Sequence, residues 1–165
     1  MTVWLDALML NDCEADEHLD RITQDAALLF KAPIAMINLV TPEHVIFKAC
    51  VGFEQGDKVD QDGSFCAKAS KQEAPLMIVD ARLDDQFKDY VMVTGSDKIR
   101  SYFGKSLHAP DGAQVGTLCL FDTKPRTYTA EQHELLCNLA EMANEHIAAI
   151  IEEYKALPDL SVQTG

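Results

Sequence analysis

Residues 129–154 constrain this chain more than any other stretch. Leu135, Leu136, Leu139, Met142, Ala143, Ile147, Ile150 and Ile151 recur three and four positions apart, which is helical spacing. Thr129 opens the run and Gln132 stands three residues on. Hydroxyl and amide can therefore satisfy each other's unpaired backbone N–H groups in a capping box. The apolar positions cover more than one narrow stripe, so one side can pack on a sheet while a second seam is left for another helix. Residues 16–30 offer such a helix, with Leu19, Ile22, Ala26, Leu29 and Phe30 at the same spacing and Pro33 as a stop.

Strands occupy the chain between these helices. Residues 34–40 and 45–51 read as a hairpin turning at Pro42-Glu43-His44, with Gly52 beyond it. Residues 56–63 are polar and loop-like, and Ser64 is placed to cap a short helix running to Lys71. Residues 76–79 form a short strand, and residues 82–98 form a long irregular segment carrying Phe87, Tyr90, Val91 and Met92. A loop of that length inside a compact domain is more often functional than incidental. Residues 101–107 and 114–121 make a second hairpin joined at Pro110-Asp111-Gly112. Terminal helices with strands between them predict an α+β sandwich. A single domain is expected over residues 1–157, with its core at 16–148 and a flexible tail at 158–165.

The 165 residues carry 14 basic against 27 acidic side chains, a net charge of −13. Such a surface repels phosphate backbones and anionic lipid headgroups alike, which argues against nucleic-acid and membrane partners. No apolar run approaches the roughly 20 residues needed to span a bilayer. The first residues lack the basic leader and apolar core of a secretory signal, so a cytoplasmic location is expected. Five cysteines, at 13, 50, 66, 119 and 137, include no Cys-x-x-Cys pair. That pattern encodes no local zinc or thioredoxin-type site and suits a reducing compartment.

One ordered set of short motifs goes further. Asp62-Gly63-Ser64-Phe65-Cys66-Ala67-Lys68-Ala69 is followed by Ile99-Arg100-Ser101-Tyr102-Phe103-Gly104, then Ala109-Pro110-Asp111-Gly112 and Val115-Gly116-Thr117-Leu118-Cys119-Leu120-Phe121-Asp122. In order and spacing this set resembles the GAF domain family, in particular the GAF modules of bacterial signalling proteins. The resemblance implies a PAS-related fold. It has a central antiparallel sheet of five to six strands, terminal helices on one face and a loop- and helix-covered pocket on the other. It also implies a small-molecule-sensing or regulatory module rather than a catalyst.

Candidate pocket residues follow from that frame. Phe65, Phe87, Tyr102 and Phe103 supply aromatic lining, with Asp80, Thr117 and Cys119 as polar anchors. Cys66 falls in the first turn of the predicted short helix, where the helix dipole favours a thiolate. Relatives often read Ser-Phe-Cys-Ala-His-Ala-Ile where this chain has Lys68, and a small residue with proline where it has Lys105-Ser106. Lys68, Arg100 and Lys105 are accordingly candidates to hold an anionic ligand. The bland alternatives are a dry core for the aromatics and solvated positions for the cations.

Several specific chemistries are disfavoured. Free methionine sulfoxide reductases are GAF relatives that carry a cysteine near the position of Cys66. They need a second thiol, and residues 97–102 contain none. The Asn-Lys…Phe…Asp-Glu signature of cyclic-nucleotide binders is not recognisable. Nor is the Cys-His pair or the Asp-Ile-Pro motif of bilin binders. No histidine lies between His44 and His108 to ligate a haem. Gly104-Lys105-Ser106 mimics the end of a phosphate loop but has Ile99 where the first glycine belongs. His133-Glu134-Leu135-Leu136-Cys137 lacks the second histidine of a zinc helix, so no metal site is expected.

The expectation is thus a non-enzymatic GAF sensor whose cofactor the sequence leaves open, binding a small molecule between the sheet and residues 64–98. With the sequence ending at Gly165, output is expected through homodimerisation of the terminal helices or a signalling partner. Two alternatives stand beside it: a ligand-free dimerisation module, and a Cys66-dependent reductase.

Overall fold

The computed structural model describes residues 17–41, 44–52, 58–60 and 65–156. Helix α1 (Glu17–Phe30) leads into β1 (Ile34–Val40) and β2 (His44–Val51). A short strand β3 (Lys58–Asp60) and a five-residue helix α2 (Phe65–Ala69) follow. Next come β4 (Leu76–Ile78), a 3-10 turn (Ala81–Leu83), helix α3 (Val91–Thr94), β5 (Ser101–His108), β6 (Gln114–Asp122) and helix α4 (Ala130–Ala156). The six strands form one antiparallel sheet in the order β3-β2-β1-β6-β5-β4.

The first and last described helices share one sheet face. Leu19, Ile22, Ala26 and Phe30 of α1 meet Leu136, Leu139, Ala143, Ile147 and Ile151 of α4 over Ile37, Leu39, Phe103, Leu118 and Leu120. The capping box forms as its residues dictate: Gln132 N–H donates to Thr129 Oγ1 at 3.2 Å and Thr129 N–H to Gln132 Oε1 at 2.8 Å. The opposite sheet face carries a second core built by alternation in β1 and β6. Ile34, Met36, Cys119 and Phe121 point there, toward Phe65, Phe87, Met92 and Tyr102.

Three departures from the sequence reading matter. Residues 58–60 form a strand inside the stretch read as loop. Lys-Val-Asp has no hydrophobic alternation to announce it, and the strand lies at the sheet edge, paired with β2. The long segment 82–98 is not wholly irregular, since α3 lies within it and Ile99 N–H bonds back to Met92 O at 2.8 Å. A bulge opposite Ile37 and Asn38 leaves Lys48 as the extra residue of β2, an irregularity without a sequence signal. The proposed Ser64 cap lies outside the described residues, as does Cys13.

Gly116 permits the central pairing. A Cβ there would collide with the Asn38 carbonyl, so only glycine lets β6 lie this close to β1.

Candidate functional site

The second core contains the only chemistry-bearing cluster that the predicted site residues build together. Phe65, the first residue of α2, is fully buried. It stacks on Phe87 (centroids 4.8 Å) and Tyr102 (5.2 Å) and meets Phe121 and Tyr90 edge-on. This aromatic wedge fixes the neighbouring residue, Cys66, above the middle of the sheet. Cys119 rises from β6 to meet it, with the two Sγ atoms 3.3 Å apart. Cys66 is 1% exposed and Cys119 0%.

Three groups converge on Cys66 Sγ. Asn38 Nδ2 donates at 2.9 Å, Tyr102 O–H at 3.4 Å, and Cys119 is the third. Asn38 also reaches Cys119 Sγ at 3.7 Å. Burial alone would push the Cys66 thiol up. The hydrogen bonds with Cys119 first, and with Tyr102 and Asn38, outweigh it and bring the pKa from 9.0 down to about 7. Cys119 moves the opposite way: burial raises it well above the ordinary thiol value, and the neighbouring Cys66 sulfur raises it further. Tyr102 is raised too, first by burial and then by the charge of the two cysteines. The pair is therefore asymmetric, with the Cys66 thiol the more acidic and Cys119 the less.

Gly104 makes the Tyr102 contact possible. A side chain there would strike the Tyr102 ring and hydroxyl, which fold back along β5 over the glycine.

Beside the thiols runs a row of polar side chains. Asn38 on β1 pairs with Thr117 on β6, and Thr117 pairs with Ser106 on β5, so the three lie abreast across the sheet. All are 0% exposed. Asn38 Oδ1, Thr117 Oγ1 and Ser106 Oγ have no well-formed hydrogen bond among the described residues. Leaving each such group dry and unpaired costs about 1–3 kcal/mol. The three stand in one row beside the two thiols.

The other predicted site residues are placed elsewhere. Lys68 bonds to Gln86 Oε1 and lies over the Phe87 ring at 5.4 Å. Arg100 donates to the backbone carbonyls of Val93 and Ile99 at 3.0 and 3.1 Å. Lys105 shares its strand face with Phe103 and Leu107, which pack toward the helices, and its ammonium reaches the Glu73 carbonyl. The expected anion clamp thus has three separate sets of partners instead of one focus. Asp80 caps the 3-10 turn and pairs with Arg82 at 2.7 Å, and that hydrogen bond holds its carboxyl below the usual range. Phe103 stacks on Tyr128 at 4.3 Å on the helix side. Asn38 and Ser106 were not anticipated. A lone amide in Ile-Ala-Met-Ile-Asn-Leu-Val was the available signal, because an apolar strand rarely buries an asparagine without use for it.

Comparison with known proteins places this arrangement. A family model described as the GAF domain matches residues 14–147. A cyclic di-GMP phosphodiesterase of Pseudomonas aeruginosa is 34% identical over 129 residues, which is 78% of this chain but 22% of that protein. The fold is similar to the PixJ GAF domain of Thermosynechococcus elongatus in its blue-light-absorbing form (TM-score 0.68, 10% identity, 88% of this chain and 89% of that one). It is also similar to the free methionine-R-sulfoxide reductase of Neisseria meningitidis (0.65, 15%, 93% and 88%). A third likeness is to the GAF domain of an Acinetobacter phosphoenolpyruvate-protein phosphotransferase (0.65, 14%, 94% and 97%). At these identities the solved structures speak to fold alone.

Proposed function

The chain belongs to the GAF domain family, and on that premise we propose that it is a small-molecule-sensing regulatory module of a signal-transduction system. The observation that carries this reading is the buried row Asn38–Thr117–Ser106, whose oxygens lack partners among the described residues. A protein stores unpaired polar atoms at that cost where a ligand completes them. The ligand class that fits is small and polar, with donors for Asn38 Oδ1 and groups able to pair with two hydroxyls. The relative named a cyclic di-GMP phosphodiesterase supports a signalling setting.

Ligand entry must act through the segments above the row. Helix α2 and residues 82–98 are anchored by Phe65, Phe87 and Tyr90, so a ligand that favours one position of these segments shifts their population. The output elements are α1 and α4 on the other face. Leu28, Leu29 and Met142 are 76%, 56% and 51% exposed, an apolar supply for a homodimer or a partner helix. No described helix is long and apolar enough to cross a membrane.

A second reading is a ligand-free interaction module, favoured by the aromatic packing that fills the space under the lid. Titration of purified protein with polar metabolites and nucleotides, followed by thermal shift, separates the two. A sensor gains stability from at least one compound and loses that gain in Thr117→Val. An interaction module gains from none, while Met142→Asp alters its association state.

A further inference from the structure

We propose that Cys66 and Cys119 form a two-electron redox site at which a small hydroperoxide is reduced and an internal disulfide is made. The geometry points to it independently of any ligand bound by the polar row. The sulfurs lie 3.3 Å apart with no atom to cross between them. A disulfide needs about 2.05 Å, so closure takes roughly 1.2 Å of movement. One of the two sulfurs sits on a helix of only five residues, which can supply that movement more readily than a central strand.

The surroundings assign the roles. Asn38 and Tyr102 aim their donors at Cys66, making it the nucleophile. Cys119, a protonated thiol one contact away, is the resolving group. Cys50 is out of bridging reach of Cys119. It shares the cross-strand row Cys50–Met36–Cys119, with Met36 between, so its Cα is about 9–10 Å from that of Cys119. That exceeds the roughly 7 Å beyond which two cysteines cannot be bridged without backbone movement.

The chemistry balances with hydrogen peroxide as oxidant. The Cys66 thiolate attacks one peroxide oxygen, an S–O bond forms and the O–O bond breaks. The departing hydroxide takes up the proton that Cys66 gave up on ionising and leaves as water. The Cys119 sulfur then attacks Cys66 Sγ, the S–S bond forms and the S–O bond breaks. The second hydroxide leaves with the Cys119 proton as another water. Two thiols are oxidised by two electrons and one peroxide is reduced to two waters.

The disulfide would also have a structural effect. Cys66 ceases to be an anion, so Asn38 Nδ2 and Tyr102 O–H lose their charged acceptor beside the polar row. At the same time α2 becomes covalently tied to β6. Oxidation therefore fixes one position of the segment that covers the sheet.

The test is stoichiometric hydrogen peroxide on the reduced full chain near neutral pH, followed by intact mass and non-reducing peptide mapping. The expected result is loss of two hydrogens, about 2 Da, a Cys66–Cys119 cross-link and reversal by dithiothreitol. Cys119→Ala should instead trap a dimedone-reactive sulfenic acid on Cys66 that proceeds to the sulfinic acid. Asn38→Leu keeps both thiols but removes a donor, slowing oxidation at pH 7 by about threefold or more and moving the pH–rate profile upward. A purely structural role would not move that profile. An unreacted Cys66, or a cross-link to Cys13, Cys50 or Cys137 in its place, would overturn the proposal, and the wild-type mapping alone decides this if a variant fails to fold.

Discussion

Replacing the Thr117 hydroxyl with a methyl group should make the unliganded protein more stable. Valine keeps the shape of threonine on β6, and the lost oxygen has no hydrogen-bond partner among the described residues while being fully buried. An unpaired buried hydroxyl costs about 1–3 kcal/mol, so Thr117→Val should gain about 1–2 kcal/mol. At this chain length each kcal/mol moves Tm by roughly 2–4 °C. Ser106→Ala should act the same way for the same reason. Because the two residues are direct cross-strand neighbours, the double variant should gain less than the sum. Thermal unfolding followed by far-UV circular dichroism on ligand-free protein reads all three. A loss of about 1 kcal/mol or more in Thr117→Val would refute the reasoning, since it would mean that the hydroxyl is satisfied in the ligand-free protein.

Further outcomes follow from the same geometry. Cys66 releases its proton at about pH 7 in the fold against 9.0 ordinarily, so its contribution to stability is present above pH 9 and is lost as pH falls through 7. Denaturant midpoints should accordingly rise between pH 7 and 9 in wild type and flatten in Cys66→Ser; an unchanged slope would remove the thiolate assignment. Gly104→Ala should displace the Tyr102 ring and cost about 1–3 kcal/mol by overpacking, with the Cys66 pKa moving upward; a neutral variant by calorimetry would contradict this. Phe65→Ala should cost about 3–5 kcal/mol because it empties the centre of the aromatic wedge, read as a lowered urea midpoint. Thr129→Ala breaks one half of the capping box and should cost about 1 kcal/mol, measured by the same urea titration.

Much of the fold was legible because its signals are local. The α4 cap lies within four residues, and the two strand hairpins announce themselves by apolar runs and turn residues. The helix-side core follows from the same arithmetic, since the spacing that predicts α1 and α4 also predicts which residues they bury. The site was legible only in part. Cys66, Tyr102, Thr117 and Cys119 were singled out, but the pairing of Cys66 with Cys119 spans 53 residues and depends on sheet register. No spacing rule within the chain encodes that. Lys105 shows a different failure. Its shared strand face with Phe103 and Leu107 could have placed it on the helix side, yet its charge drew it into the pocket reading. Asn38 was hidden by the apolar strand around it, although a single amide among Ile, Met and Leu is itself a signal. The edge strand β3 was missed because three residues with one valine carry too little pattern to separate from loop.

The central claim, that the buried row Asn38–Thr117–Ser106 receives a small molecule, is tested most directly by native mass spectrometry of gently purified protein read against its denatured mass. The account predicts a discrete additional mass that disappears on denaturation and is absent from Thr117→Val. A clean unliganded mass that persists after incubation with a cellular small-molecule extract would contradict it and leave the interaction module in its place.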